Sequence, residues 1–188
     1  AEGENGWSHL ARAAEAYGAV RDSAAEQFTA AEREREGWSH YGAAPGQDTR
    51  FDYFLIETSD DAGVLAHLDL LAASDRAYAL WEPDQDADFA LGSRRGRDAG
   101  RVRSLAQMCM WRMRREALWG RGDEGVRSAR HLEAIGRAQR SGLMTIDVLN
   151  STATTVMLFS QIRMLSLELE LDDETLAALD ELVRQFEA

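Results

Sequence analysis

Arg94, Arg95, Arg97, Arg101 and Arg103 stand close together in the chain, interleaved with Gly92, Gly96 and Gly100. A guanidinium is a rigid fork of donors matched to phosphate and carboxylate oxygens, and glycine lets backbone approach a bound group. The combination is an expected anion-binding patch, or a contact for an acidic partner segment. The plainer reading is that these arginines pair with carboxylates on neighbouring helices, each exposed pair contributing roughly 0.2–1 kcal/mol. The stretch from Gly92 to Arg97 resembles a phosphate loop only superficially.

A second candidate follows directly. Met108, Met110, Trp111, Met113 and Trp119 crowd one helical stretch, and Trp111, Met113 and Trp119 could line a groove for an apolar peptide or small ligand. Core packing accounts for the same residues more simply.

Catalytic and metal patterns are sparse. His9, His40, His67 and His131 show neither His-x-x-x-His nor Glu-x-x-His spacing, so no metal site and no cofactor is expected. A Gly-Trp-Ser-His tetrapeptide occurs at both Gly6–His9 and Gly37–His40. It suggests either a paired His9/His40 site or two tryptophan anchors at helix ends, the second being the simpler. Asp84, Asp86 and Asp88 imitate the start of a calcium loop, but Phe89 and Arg95 occupy the positions of its glycine and closing glutamate. No nucleophile elbow and no dinucleotide fingerprint is present. Cys109, the single cysteine, sits between Met108 and Met110 as a small buried hydrophobe would. Asn150-Ser151-Thr152 matches a glycosylation acceptor but falls in an apolar helix.

The charge layout is more informative. The chain of 188 residues has a formal net charge of −12, the wrong sign for nucleic-acid or anionic-membrane binding. All 21 of its basic residues are arginine, which removes Schiff-base lysine chemistry. Between Arg94 and Arg140 lie 13 arginines and 5 acidic residues, a net of +8, while the remainder holds 8 arginines and 28 acidic residues, a net of −20. Basic helices packed on acidic ones explain this; association of basic and acidic faces of two molecules is the alternative, and salt would weaken it. The opening Ala1-Glu2-Gly3-Glu4 suits a processed export product and a trimmed chain equally.

The elements that must position these residues read as helices. Only Pro45 and Pro83 interrupt a three-to-four residue apolar recurrence. One all-α domain over 1–188 is expected, built of about six to seven helices in antiparallel hairpins, with loops at about 41–52 and 83–100. Asn5 caps a helix through Trp7, Leu10, Ala14 and Tyr17, which Gly18 weakens or ends, and Ser23 opens a second. Phe51–Glu57 is ambiguous between strand and helix. Asp60 or Asp61 caps a helix through Leu71 that continues towards Trp81. Helices follow at about Arg101–Trp119, Asp123–Arg140 and Leu143–Leu167, and Asp172 or Asp173 caps the last. Asp147, Asn150, Gln161 and Arg163 interrupt the apolar Leu143–Leu167 stretch, so it is expected as a buried core helix and not a membrane span.

From Leu105 to Arg140 the pattern is helix, a turn at Gly120-Arg121-Gly122-Asp123, then a helix with Val126, Ala129 and Leu132. This resembles a tetratricopeptide-type hairpin. Leu105 through Leu165 is more closely similar to a group of uncharacterised, often exported, α-helical bacterial proteins. Gly125 stands where the standard repeat has alanine, and the usual terminal proline is missing. The resemblance implies a fold and no activity. The expected function is a non-enzymatic interaction or assembly scaffold that binds another protein or itself; a small-ligand or anion binder using residues 94–103 is the alternative.

Overall fold

A computed structural model describes residues 5–29, 50–75, 77, 88–141, 145–168 and 170–184, with the backbone alone at 50–53, 88–98, 145–147 and 168. Of the expected loop at 41–52, residues 41–49 lie outside the described residues and 50–52 are helical instead; the second Gly-Trp-Ser-His and Trp81 also lie outside the described residues, and the helix expected to continue towards Trp81 ends at Ala72. The described residues form seven helices and no strand: α1 (Gly6–Gln27), α2 (Arg50–Asp61), α3 (Val64–Ala72), α4 (Asp88–Leu118), α5 (Gly122–Arg140), α6 (Thr145–Glu168) and α7 (Asp173–Arg184).

Asn5 caps α1 as expected: its Oδ1 accepts from the Trp7 N–H at 3.1 Å and its carbonyl from the Ser8 hydroxyl at 2.7 Å. His9, Leu10, Ala13, Ala14, Tyr17, Val20 and Ala24 then recur every three or four residues and are buried. The helix neither stops at Gly18 nor restarts at Ser23, because its apolar stripe runs unbroken through both. Phe28, just past its end, meets Phe54 with ring centroids 5.5 Å apart, fixing α1 against α2. The ambiguous Phe51–Glu57 segment is helical, in α2. The break before α3 is made by Gly63, in the left-handed region at φ 75°, and not by an aspartate cap: Asp60 contributes its backbone carbonyl, which accepts from Gly63 N–H at 3.1 Å.

The largest departure is α4. It begins at Asp88, so most of the expected 83–100 loop is helix. Gly92, Gly96 and Gly100 are loop residues by composition, yet within this helix each costs about 1 kcal/mol of helix propensity without breaking it.

α5 is the centre of the molecule, touching α4, α6, α3, α7 and α1. It is buried round most of its circumference, and many of its contacts are small: Gly125, Ser128, Ala129, Ala134, Gly136 and Ala138. A Cβ at Gly125 would lie 3.4 Å from the Met113 carbonyl oxygen, so glycine here lets the α4 backbone come close. α4 turns into α5 through Gly120 at φ 69°, with the Arg121 N–H returning to the Glu116 carbonyl at 2.8 Å and the Gly120 N–H to Ala117 at 3.0 Å. This pair of bonds satisfies carbonyls that the helix end would otherwise leave open.

The α5–α6 contact is polar as well as apolar. Ser151 donates to the Gly136 carbonyl at 2.8 Å and Thr154 to Gln139 Oε1 at 3.0 Å. A Cβ at Gly136 would sit 3.6 to 3.7 Å from Thr155 and Thr154, an ordinary contact, so the close approach does not depend on glycine there. The expectation of a buried core helix for α6 holds on one face only. Met157, Leu158 and Leu165 are buried, but Val148, Leu149, Val156 and Leu167 are exposed. Asp172 caps α7 as expected, its Oδ1 accepting from Thr175 N–H at 2.7 Å. α7 packs on α5 and α6, and Gly122 accommodates the Thr175 side chain where any Cβ would overlap Thr175 Oγ1.

Candidate interaction site

Because α4 is helical from Asp88, the five arginines do not line a loop. At 100° per residue, positions 94, 97 and 101 share one side of the helix, while 95 and 103 lie away from it. The backbone N–H groups that a glycine-rich cradle would offer are engaged in the helix. Arg101 and Arg103 are exposed. Arg101 crosses to α1, where its Nε lies 3.5 Å from the position a Gly18 Cβ would take. Nearby, Arg21 Nη1 donates to Ser104 Oγ at 2.7 Å. Between these helices is an open cavity of about 290 Å³ lined by Trp7, Leu10, Ala14, Glu15, Arg101 and Val102. It places one cation and one carboxylate beside an apolar floor.

The proposed Trp/Met groove is dispersed. Met113 is fully buried in the core, Trp111 is half-buried, and Trp119 stands at the α4–α5 corner, 50% exposed. Its ring is flanked by the guanidiniums of Arg115 at 4.9 Å and Arg121 at 4.6 Å from the centroid. Both guanidiniums also hold the buried Glu116 carboxylate, Arg115 at 3.0 Å and Arg121 as a close ion pair. The corner is thus a stacked and charge-compensated lock on the hairpin.

A larger polar cluster joins α3, α4 and α5. Buried Arg112 donates to Ser128 Oγ at 3.0 Å and to Glu124 Oε2 at 2.7 Å. Arg127 reaches the same Glu124 oxygen at 3.3 Å and grips Asp69 through two nitrogens. Asp69 Oδ1 also lies 2.8 Å from Nε2 of the buried His131. Burial opposes ionisation of Asp69, but the bonds from Arg127 and His131 outweigh it and hold the carboxyl below its usual range. The Arg112 bond, against the opposing effect of burial, holds Glu124 low as well. Burial lowers the His131 pKa despite Asp69, so the ring is neutral at pH 7 and donates Nε2–H to the carboxylate. Sequence spacing gave no sign of this cluster, since residues 69 and 131 meet only through the α3–α5 packing. A neutral histidine beside a carboxylate has the elements of a proton relay, but each polar head here is committed to holding helices together.

His9 does not pair with His40, which lies outside the described residues; its ring stacks on His67 at 6.2 Å between centroids. Among the described residues no group of three or more His, Cys, Asp or Glu side chains could hold a metal ion. No described helix is long and apolar enough to cross a membrane.

What stands out at the surface is α6. Val148, Leu149, Val156 and Leu167 are 50%, 60%, 58% and 75% exposed, with Thr152, Ser160 and Arg163 exposed between them. No charged residue occurs from Val148 to Ile162, in a chain that is 29% charged. Isolated surface apolar residues are ordinary; here four lie along a helix whose middle, Val148–Ile162, carries no charge.

No protein-family model, curated protein or solved structure matches this chain.

Proposed function

We propose that this chain is a non-enzymatic helical-hairpin domain of tetratricopeptide-like organisation, acting as a protein–protein interaction or assembly scaffold through the outer face of α6. The observation that carries this reading is the exposed band of Val148, Leu149, Val156 and Leu167. The apolar residues of α6 are spread around the helix and not gathered on one face, a distribution that suits a helix covered on more than one side, whereas among the described residues only one face of it is buried. The test is association of the folded protein with and without Val156→Asp. Loss of a specific interaction, with the circular dichroism spectrum unchanged, supports the reading; association indifferent to the substitution overturns it.

The cavity between α1 and α4 favours a second reading, a small-ligand site. Arg101 and Glu15 at its rim with Trp7, Leu10 and Val102 at its floor suit an apolar molecule carrying a charged group, such as a zwitterionic amino acid. Ligand-induced thermal stabilisation that disappears in Arg101→Glu would establish it.

A further inference from the structure

We propose that the cavity between α1 and α4 binds a free apolar α-amino acid, with its carboxylate on Arg101, its ammonium on Glu15 and its side chain against Trp7, Leu10 and Val102. The inference rests on the small-ligand reading of that cavity and adds the ligand's class and orientation. What points to it is a pair of opposite charges that do not meet. Glu15 and Arg101 line the same cavity, yet no ion pair joins them, and among the described residues no hydrogen bond engages either. Arg101 instead runs beside α1 at Gly18, its Nε 3.5 Å from the place of a Cβ there. Gly18 stands three residues beyond Glu15, on the same side of the helix and about 4.5 Å further along its axis. A ligand with one charge engages one of these two groups. A zwitterion engages both, through charge-assisted hydrogen bonds.

The apolar floor supplies a third contact. An α-amino acid carries an ammonium, a carboxylate and a side chain on a single carbon, and so matches all three at once. At about 290 Å³ the cavity lies at the small end of ligand pockets, suited to one amino acid and not to a nucleotide. Its walls are also fixed in advance. Arg21 Nη1 on α1 donates to Ser104 Oγ on α4 at 2.7 Å, three residues along from Arg101, so binding need not order the two helices first. Three different contacts on one tetrahedral carbon make the site selective for one enantiomer. Exchanging the protein's two charges exchanges the ligand's two charged groups over an unchanged floor, which is the fit of the mirror image.

The experiment is calorimetric titration of the full chain with L-leucine, D-leucine, isocaproate, which lacks the ammonium, and isoamylamine, which lacks the carboxylate. The expected result is saturable binding of one leucine enantiomer, about tenfold or more tighter than the other three compounds. Glu15 and Arg101 are both exposed, so Glu15→Arg and Arg101→Glu are each expected to lose that binding with the circular dichroism spectrum unchanged. The double exchange restores binding and reverses the preference between enantiomers. Isocaproate or isoamylamine binding as tightly as leucine keeps the cavity as a ligand site and overturns the amino acid as its ligand. Equal binding of the two enantiomers, or a double variant with the original preference, overturns the three-point orientation. No saturable binding by any of the four compounds overturns the small-ligand reading together with the amino acid.

Discussion

Arg127 holds both oxygens of the Asp69 carboxylate, Nε to Oδ1 at 2.9 Å and Nη2 to Oδ2 at 2.5 Å, and so ties α5 to a helix 58 residues earlier in the chain. The same carboxylate accepts from buried His131. Its removal therefore costs more than one surface ion pair. Asp69→Ala leaves the His131 Nε2–H buried without its acceptor and is expected to destabilise the fold by about 2–3 kcal/mol. Arg127→Ala, whose partner stays partly in water, is expected to cost about 1 kcal/mol. Urea melts of the two single variants and the double variant check both values, and a double-mutant cycle showing no coupling between them would contradict the bidentate contact.

Acid should loosen this cluster in two stages. His131 has a folded pKa below its ordinary 6.5, so as pH falls through 6.5 the unfolded chain takes up a proton that the folded one refuses, and stability drops until the folded value is reached. Asp69 and Glu124 are also held low, from 3.8 and 4.5 respectively. Their contribution is present above those values and is lost as pH falls further. Glu133 works the other way: burial raises its pKa from 4.5, so it detracts from stability as pH rises through that value. Thermal melts between pH 8 and pH 3 should show the first decline beginning near pH 6.5, and His131→Gln should remove that first stage while leaving the second.

Much of this was written in the local sequence, and the rest could not be. The helical class, the Asn5 and Asp172 caps and the α4–α5 turn follow from periodicity and from residues acting on their immediate neighbours. Residues 88–100 misled because glycine and charge are loop signals by composition, whereas the helix they extend is supported by its long continuation through Leu105 and Met113. The Asp69–His131 contact was invisible because neither residue has a chemical partner nearby in sequence. Trp111, Met113 and Trp119 illustrate the same limit in reverse: adjacent on a helix by number, they are sent to a half-buried flank, the core and an exposed corner by where the neighbouring helices lie.

Gly122 sits where any side chain would overlap Thr175 Oγ1. Gly122→Ala is expected to displace the start of α7 and cost about 1–3 kcal/mol, as overpacking usually does. Adding Thr175→Ala removes the colliding atom and should recover much of the loss. Hydrogen exchange over Asp173–Arg184 would locate the effect; uniform exchange in Gly122→Ala and the parent protein would show that the contact is slack.

Burial raises the Cys109 thiol pKa to about 12, and its side chain is buried in the core that also holds Leu105, Met108 and Met113. Thiolate is the reacting form. A disulfide reagent at pH 8 should therefore label native protein only through unfolding, with rates that rise with urea, and complete labelling within seconds in buffer would mean the α4 core is open.

The distribution of apolar residues around α6 is nearly even. Collapse can therefore press this helix against α5 without choosing its roll angle, since several sides are about equally suited to the core. The choice falls to the Ser151–Gly136 and Thr154–Gln139 hydrogen bonds, which form at one azimuth and no other. Two hydroxyl groups thereby decide which side of α6 faces outward, and a change at position 151 or 154 would alter the composition of the outer surface without touching a single residue on it.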